Sequence, residues 1–156
     1  MDTATHSAPT ATIDELELLR LMLAEHGTII LRNGIGTMEL RGTDLTLKTS
    51  DQWLTIYHAS APHSEHRSHI HMRRGRLSFA CVIERENGTP QMTFWEREAD
   101  AAAAIAGDKD SKPPFAIFFA SFFDWQAEGG PRALPENQTR YQDWVRAHGK
   151  RFELTT

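Results

Sequence analysis

The sequence predicts an α+β domain: an antiparallel β-meander or split-barrel-like sheet with an N-terminal and a C-terminal helix. Three observations carry this. Residues 28–96 break into short β-type runs separated by turn residues. Helix signals bracket that stretch, near residue 12 and near residue 135. The chain has 156 residues, 40% hydrophobic and 24% charged, which suits one soluble domain with a real core.

Residues 1–11 are polar, lack a continuous apolar stretch, and read as a disordered lead-in rather than a signal peptide. A single domain is expected over 12–156. Thr12-x-x-Glu15 is a capping-box pattern; Leu16, Leu19, Met22 and Leu23 follow at helical spacing, and Gly27 ends the helix. Strands are expected over 28–32, 36–41, 45–49, 53–58, 67–73, 77–84 and 91–96. Asn33-Gly34, Arg41-Gly42-Thr43, Arg74-Gly75 and Asn87-Gly88 punctuate them, and Asn-Gly is a strong hairpin signal. The alanine-rich stretch 99–106 predicts a short helix stopped by Gly107, followed by a charged loop to residue 114. The apolar run 115–123 fits either a strand or a helix. After the Gly129-Gly130-Pro131 break, Pro135 opens a last helix that carries Tyr141, Trp144 and Val145 and closes at Gly149.

The net charge of -4 argues against wholesale nucleic-acid binding, because such domains carry a basic balance. The lone Cys81 excludes an intramolecular disulfide and a cysteine-rich zinc site; within Phe79-Ala80-Cys81-Val82-Ile83 it reads as a small buried hydrophobe. No apolar window is long enough to cross a bilayer. A reducing cytoplasm is the compartment expected from these features.

The chemistry concentrates in one place. Five of the eight histidines fall within fourteen residues: His58, His63, His66, His69 and His71. Neutral imidazole is the commonest protein ligand for a transition metal or haem iron. If 67–73 is a strand, Arg67, His69, His71 and Arg73 share one face, and Ser68, Ile70 and Met72 share the other. One face then suits a core. The other offers two metal ligands flanked by cations able to hold an anion. The competing reading is a polar sheet face bearing solvated histidines. His58, His63 and His66 border or lie in a stretch that Ser60, Pro62 and Ser64 mark as a loop, and are read as solvated.

A mononuclear metal site of the cupin kind is disfavoured. It wants a carboxylate a few residues after His-x-His, whereas Arg73, Arg74 and Arg76 follow here and the first carboxylate is Glu84. There is no Gly-x-Ser-x-Gly, and Gly34-Ile35-Gly36 lacks the third glycine and the helix of a phosphate-binding loop.

The order of elements resembles the cytosolic haem-utilisation proteins of the ChuX/HutX type, within the HemS/ChuX-like superfamily. The residues that carry this are the helix ending at Gly27, then Glu39-Leu40-Arg41-Gly42, then Trp53-Leu54-Thr55-Ile56-Tyr57. They continue through Ser68-His69-Ile70-His71-Met72, the aliphatic run closing on Glu84-Arg85, Met92-Thr93-Phe94-Trp95, and Leu134-Pro135-Glu136-Asn137-Gln138 opening the last helix. The resemblance covers about two thirds of the chain and lies in the order of its elements rather than in one motif. It implies a homodimer that binds haem in the cytoplasm, with His69 as the iron ligand. His71 would meet the ring edge or a propionate, and Arg67, Arg73 or Arg74 would pair with the propionates. A second haem-contacting histidine of the family maps near Arg32, which would act through charge or hydrogen bonding.

Nothing in the sequence identifies residues that activate oxygen, so no enzymatic activity is assigned. Two alternatives stand beside the haem reading: a dimeric structural or regulatory protein of the same fold that does not bind haem, and a non-haem metal site on His69 and His71, with His66 as a further ligand. A separate reason for a dimer is the large apolar content of 115–125, which one small sheet would not cover.

Overall fold

The computed structural model describes residues 9–25, 28–42, 44–60, 68–85, 88–119, 123–124, 127–130 and 132–156. It is an α+β fold built on two open sheets, neither closed into a barrel. The larger sheet has seven strands in the order β1 (Thr10–Asp14), β12 (Arg151–Thr155), β7 (Phe79–Glu84), β8 (Pro90–Trp95), β9 (Phe115–Phe118), β2 (Thr28–Arg32), β3 (Thr37–Arg41). The smaller is a meander of β4 (Leu45–Thr49), β5 (Trp53–His58) and β6 (His69–Arg73). A short ribbon pairs β10 (Phe123–Asp124) with β11 (Arg132–Ala133). The helices are α1 (Glu15–Glu25), α2 (Glu98–Ile105) and α3 (Pro135–His148).

Every expected strand has a counterpart, with ends displaced by a few residues; of the expected strand 67–73, Arg67 lies outside the described residues. The first helix starts later than the capping box at Thr12 predicts. Thr10–Asp14 is drawn into a strand because it pairs in parallel with Arg151–Thr155, at the other end of the chain. That strand also takes Thr10 and Ala11 from the expected lead-in; residues 1–8 lie outside the described residues. Asp14 then caps the helix: its Oδ1 accepts the Leu16 amide at 2.9 Å and the Glu17 amide at 3.1 Å. Gly27, expected to end this helix, lies outside the described residues. Gly149 closes α3 as expected; its φ of 91° is a conformation that glycine adopts without a Cβ clash.

One hydrophobic core joins all of this. The inner face of the three-stranded sheet contributes Leu45, Leu54, Ile56 and Ile70. The facing side of the seven-stranded sheet gives Ile29, Met92, Phe94, Phe115, Ile117 and Phe152; α1 adds Leu18, Leu19 and Met22, and α3 adds Tyr141 and Trp144. A smaller cluster lies on the other side of the large sheet, where α2 places Ala101 against Phe79, Cys81 and Trp95. Cys81 is buried there, and burial pushes its thiol pKa up, so it is an unreactive packing residue.

The ambiguous run at 115 resolves as strand β9, central in its sheet between β8 and β2 and buried at Phe115, Ala116 and Ile117. Phe115, Ile117 and Phe119 are covered within the chain; residues 120–122 and 125 of that apolar run lie outside the described residues.

Candidate functional site

Burial along β6 alternates: His69, His71 and Arg73 are exposed, Ile70 is buried and Met72 is half-buried. The strand periodicity inferred from Ile70 and Met72 therefore holds, and the histidines face away from the core. Pairing sets what stands beside them. Lys48 lies opposite Thr55, and Thr55 opposite His71; Thr46 lies opposite Tyr57, and Tyr57 opposite His69; Trp53 lies opposite Arg73. The outer face of the small sheet is thus a lattice of Thr46, Lys48, Trp53, Thr55, Tyr57, His69, His71 and Arg73.

The two imidazoles meet edge to face, their ring centroids 4.5 Å apart. His71 is held from below: its Nδ1 shares a 2.9 Å hydrogen bond with the Thr55 hydroxyl, which directs Nε2 away from the sheet. Trp53 stands 6.5 Å from the His71 ring and is 42% exposed, unusual for a side chain of its size. Lys48, Thr49, Ser50, Trp53, Thr55 and His71 surround an open cleft of about 420 Å³.

Among the described residues of the three strands, the charges on this face are of one sign. None of the three strands carries an Asp or a Glu. Lys48 and Arg73 are stacked on aromatic rings instead, at 5.8 Å from the Tyr57 centroid and 5.2 Å from the Trp53 centroid. On a chain with net charge -4, this face is a local cationic patch.

The other residues singled out by sequence are distributed differently. Arg67, His63 and His66 lie outside the described residues. Arg32 is in the other sheet. Its Nη1 donates to the Pro113 carbonyl at 3.3 Å, and burial together with the like charge of Arg85 lowers its pKa. None of these contacts is to β6. Arg74 donates to the Ser50 carbonyl at the rim of the cleft. Among the described residues, no group of three or more His, Cys, Asp or Glu side chains is placed to hold a metal ion.

His58 was expected to be solvated. It is instead half-buried at the end of β5, with its Nδ1 2.9 Å from Asp44 Oδ1. The other Asp44 oxygen accepts the Ser60 amide and hydroxyl. These bonds hold the Asp44 carboxyl pKa well below its usual range. A side chain at Gly42 would collide with the His58 ring, so this glycine makes room for the pair.

Sequence reasoning did not name Lys48 or Thr55 as site residues. Alternation places each on the outer face of its own strand, but only the register brings them into the His71 row. Comparison with known families and curated proteins finds no match: no family model fits the chain, and no curated protein resembles it significantly.

Proposed function

We propose that this protein is a cytoplasmic haem-binding or haem-trafficking protein of the ChuX/HutX type, acting as a homodimer, with haem lying on the outer face of the β4–β6 sheet. The observation that carries the reading is the combination on that face of two imidazoles, an exposed Trp53 and two cations, with no carboxylate on the strands. The donor set fits the group. Imidazole ligates haem iron, the Trp53 ring offers apolar surface to the macrocycle, and Lys48 and Arg73 are counter-charges for the propionates. Three strands spaced about 4.8 Å apart give a platform roughly 10 Å wide, the scale of a porphyrin.

When bound, haem would supply an iron that an imidazole can ligate. His69 is the ligand that the family resemblance implies. The His69 and His71 rings stand side by side on one face, their centroids 4.5 Å apart, so only one can lie beneath the iron of a single ring. The other then meets the ring edge or a propionate. Arg32 lies in the other sheet and has no part in this arrangement.

A second reading is favoured by one observation: the Thr55 hydroxyl orients His71, in the manner of the partners that hold metal-bound histidines. In that reading His71 is the ligand.

Titration of the purified protein with hemin tests both. The proposal expects a Soret band that saturates at one haem per chain, lost in His69→Ala and largely kept in His71→Ala and Thr55→Val. The opposite pattern, with His71→Ala abolishing the band and Thr55→Val weakening binding about tenfold, makes His71 the ligand. Absence of any saturable band contradicts haem binding; tight zinc or copper uptake without one would point to the non-haem site.

A further inference from the structure

The two main sheets leave four strand edges unpaired among the described residues: β1 and β3 in the large sheet, β4 and β6 in the small one. Of these, β3 is the most exposed, with Thr37, Met38, Glu39 and Arg41 all open to solvent. It ends a hairpin that projects apolar side chains. Ile35 at the tip is 97% exposed and Met38 is 54% exposed. The tip itself is well formed: Asn33 Oδ1 accepts the Ile35 and Gly36 amides, and Gly34 has φ of 76°. A rigid hairpin that presents an isoleucine and a methionine to water is a contact surface waiting for a partner.

We infer that the partner is a second copy of this chain, joined by antiparallel pairing of the two β3 edges about Leu40. This rests on the homodimer reading above and assigns its surface. The argument is charge complementarity. Pairing about Leu40 sets Glu39 of each copy opposite Arg41 of the other, twice across the two-fold axis. Registers centred on Glu39 or Arg41 put like charges face to face. The other edges lack this match. Self-pairing of β6 about His71 sets Arg73 against His69, and β1 and β4 have no opposite charges to exchange. Within one chain Glu39 already accepts Arg41 at 2.7 Å, with both side chains solvent-accessible, so the pair can be shared across the axis without desolvating a lone charge. On the core side, Leu40 meets Leu40 of the second copy. Met38 falls opposite Gly42 of the second copy. The large sheet then runs continuously through the dimer.

Sedimentation of the full chain at micromolar concentration, with far-UV circular dichroism to check folding, tests this. The expected result is a dimer that Glu39→Arg or Arg41→Glu weakens at least tenfold and that the double exchange E39R/R41E restores. Because the double exchange also restores the contact within one chain, a second variant fixes the register. Glu39→Cys with Arg41→Cys should give a disulfide-linked dimer on oxidation, since neighbouring same-strand positions are too far apart to bridge. A dimer indifferent to all these changes, with no cross-link, overturns the β3 assignment and leaves the homodimer reading standing on another face. A wild-type monomer overturns both.

Discussion

The two main sheets are used in opposite ways. The seven-stranded sheet is covered on one side by the main core and, over Phe79, Cys81 and Trp95, on the other by α2. The three-stranded sheet buries one side and leaves the other open, with its histidines, Lys48, Trp53 and Arg73 in solvent. A sheet needs only one buried face to be stable, so the second face is free to carry chemistry. The large sheet gives up that freedom for stability. The small sheet keeps it.

The largest expected effect follows from the covered sheet. Phe94 is fully buried and stacks at 5.1 Å on Phe115. Phe94→Ala should cost about 3–5 kcal/mol and lower the melting temperature by roughly 10 °C. A loss under about 1 kcal/mol in a denaturant titration would mean that this face is not the structural core. On the open face the expected balance reverses: Lys48→Ala and Arg73→Ala should each change stability by under about 0.5 kcal/mol while weakening hemin binding a few-fold, as suits exposed charge contacts. Hemin titration beside thermal melts separates the two quantities.

Glu15 ties the regions together and gives a pH signature. It is 1% exposed at the start of α1, and one of its oxygens accepts the Gly75 amide in the turn that leaves β6. Burial raises its carboxyl pKa, opposed by that hydrogen bond and by the charge of Arg74. A raised carboxyl pKa means that the folded state holds its proton more tightly than the unfolded chain. This contribution is therefore fully present below the ordinary carboxylate range and is lost as pH rises through the folded value. Glu15→Gln should flatten the fall in melting temperature over that window. An unchanged pH profile would contradict the burial penalty.

The smallest effect is expected at Asp44, where the sign is opposite. Its pKa is depressed by its bonds to Ser60 and His58, so its contribution holds above the ordinary carboxylate range and fades as pH falls through the depressed value. Asp44→Asn should shift the melting temperature only slightly near neutrality, because the group is only half-buried at the sheet end, and should remove part of the loss on acidification. A large loss at neutral pH would make this pair a structural element of the fold.

What was legible in the sequence follows the same division. Alternation around Ile70 and Met72 told which side of β6 faces the core, because strand periodicity is local. The turn glycines marked the hairpins for the same reason. The pairing of Thr10–Asp14 with Arg151–Thr155 was not legible, since neither segment signals a strand without its distant partner. Nor was the Lys48–Thr55–His71 row, which depends on register across three strands. The Asp44–His58 contact was hidden likewise, because the histidine looked like part of a polar loop until Gly42 and Asp44 were brought beside it. The run at 115 was ambiguous because a central strand buried on both sides shows no alternation.

The proposed haem position is the open face of the small sheet. The most direct measurement is hemin added to ¹⁵N-labelled protein, read as loss of backbone amide signals near the paramagnetic iron. That position predicts broadening centred on Lys48, Thr55, His69 and His71, with the amides of Arg32, Gln91 and Phe118 in the large sheet unchanged. Broadening centred on Arg32, Gln91 and Phe118 instead would contradict it.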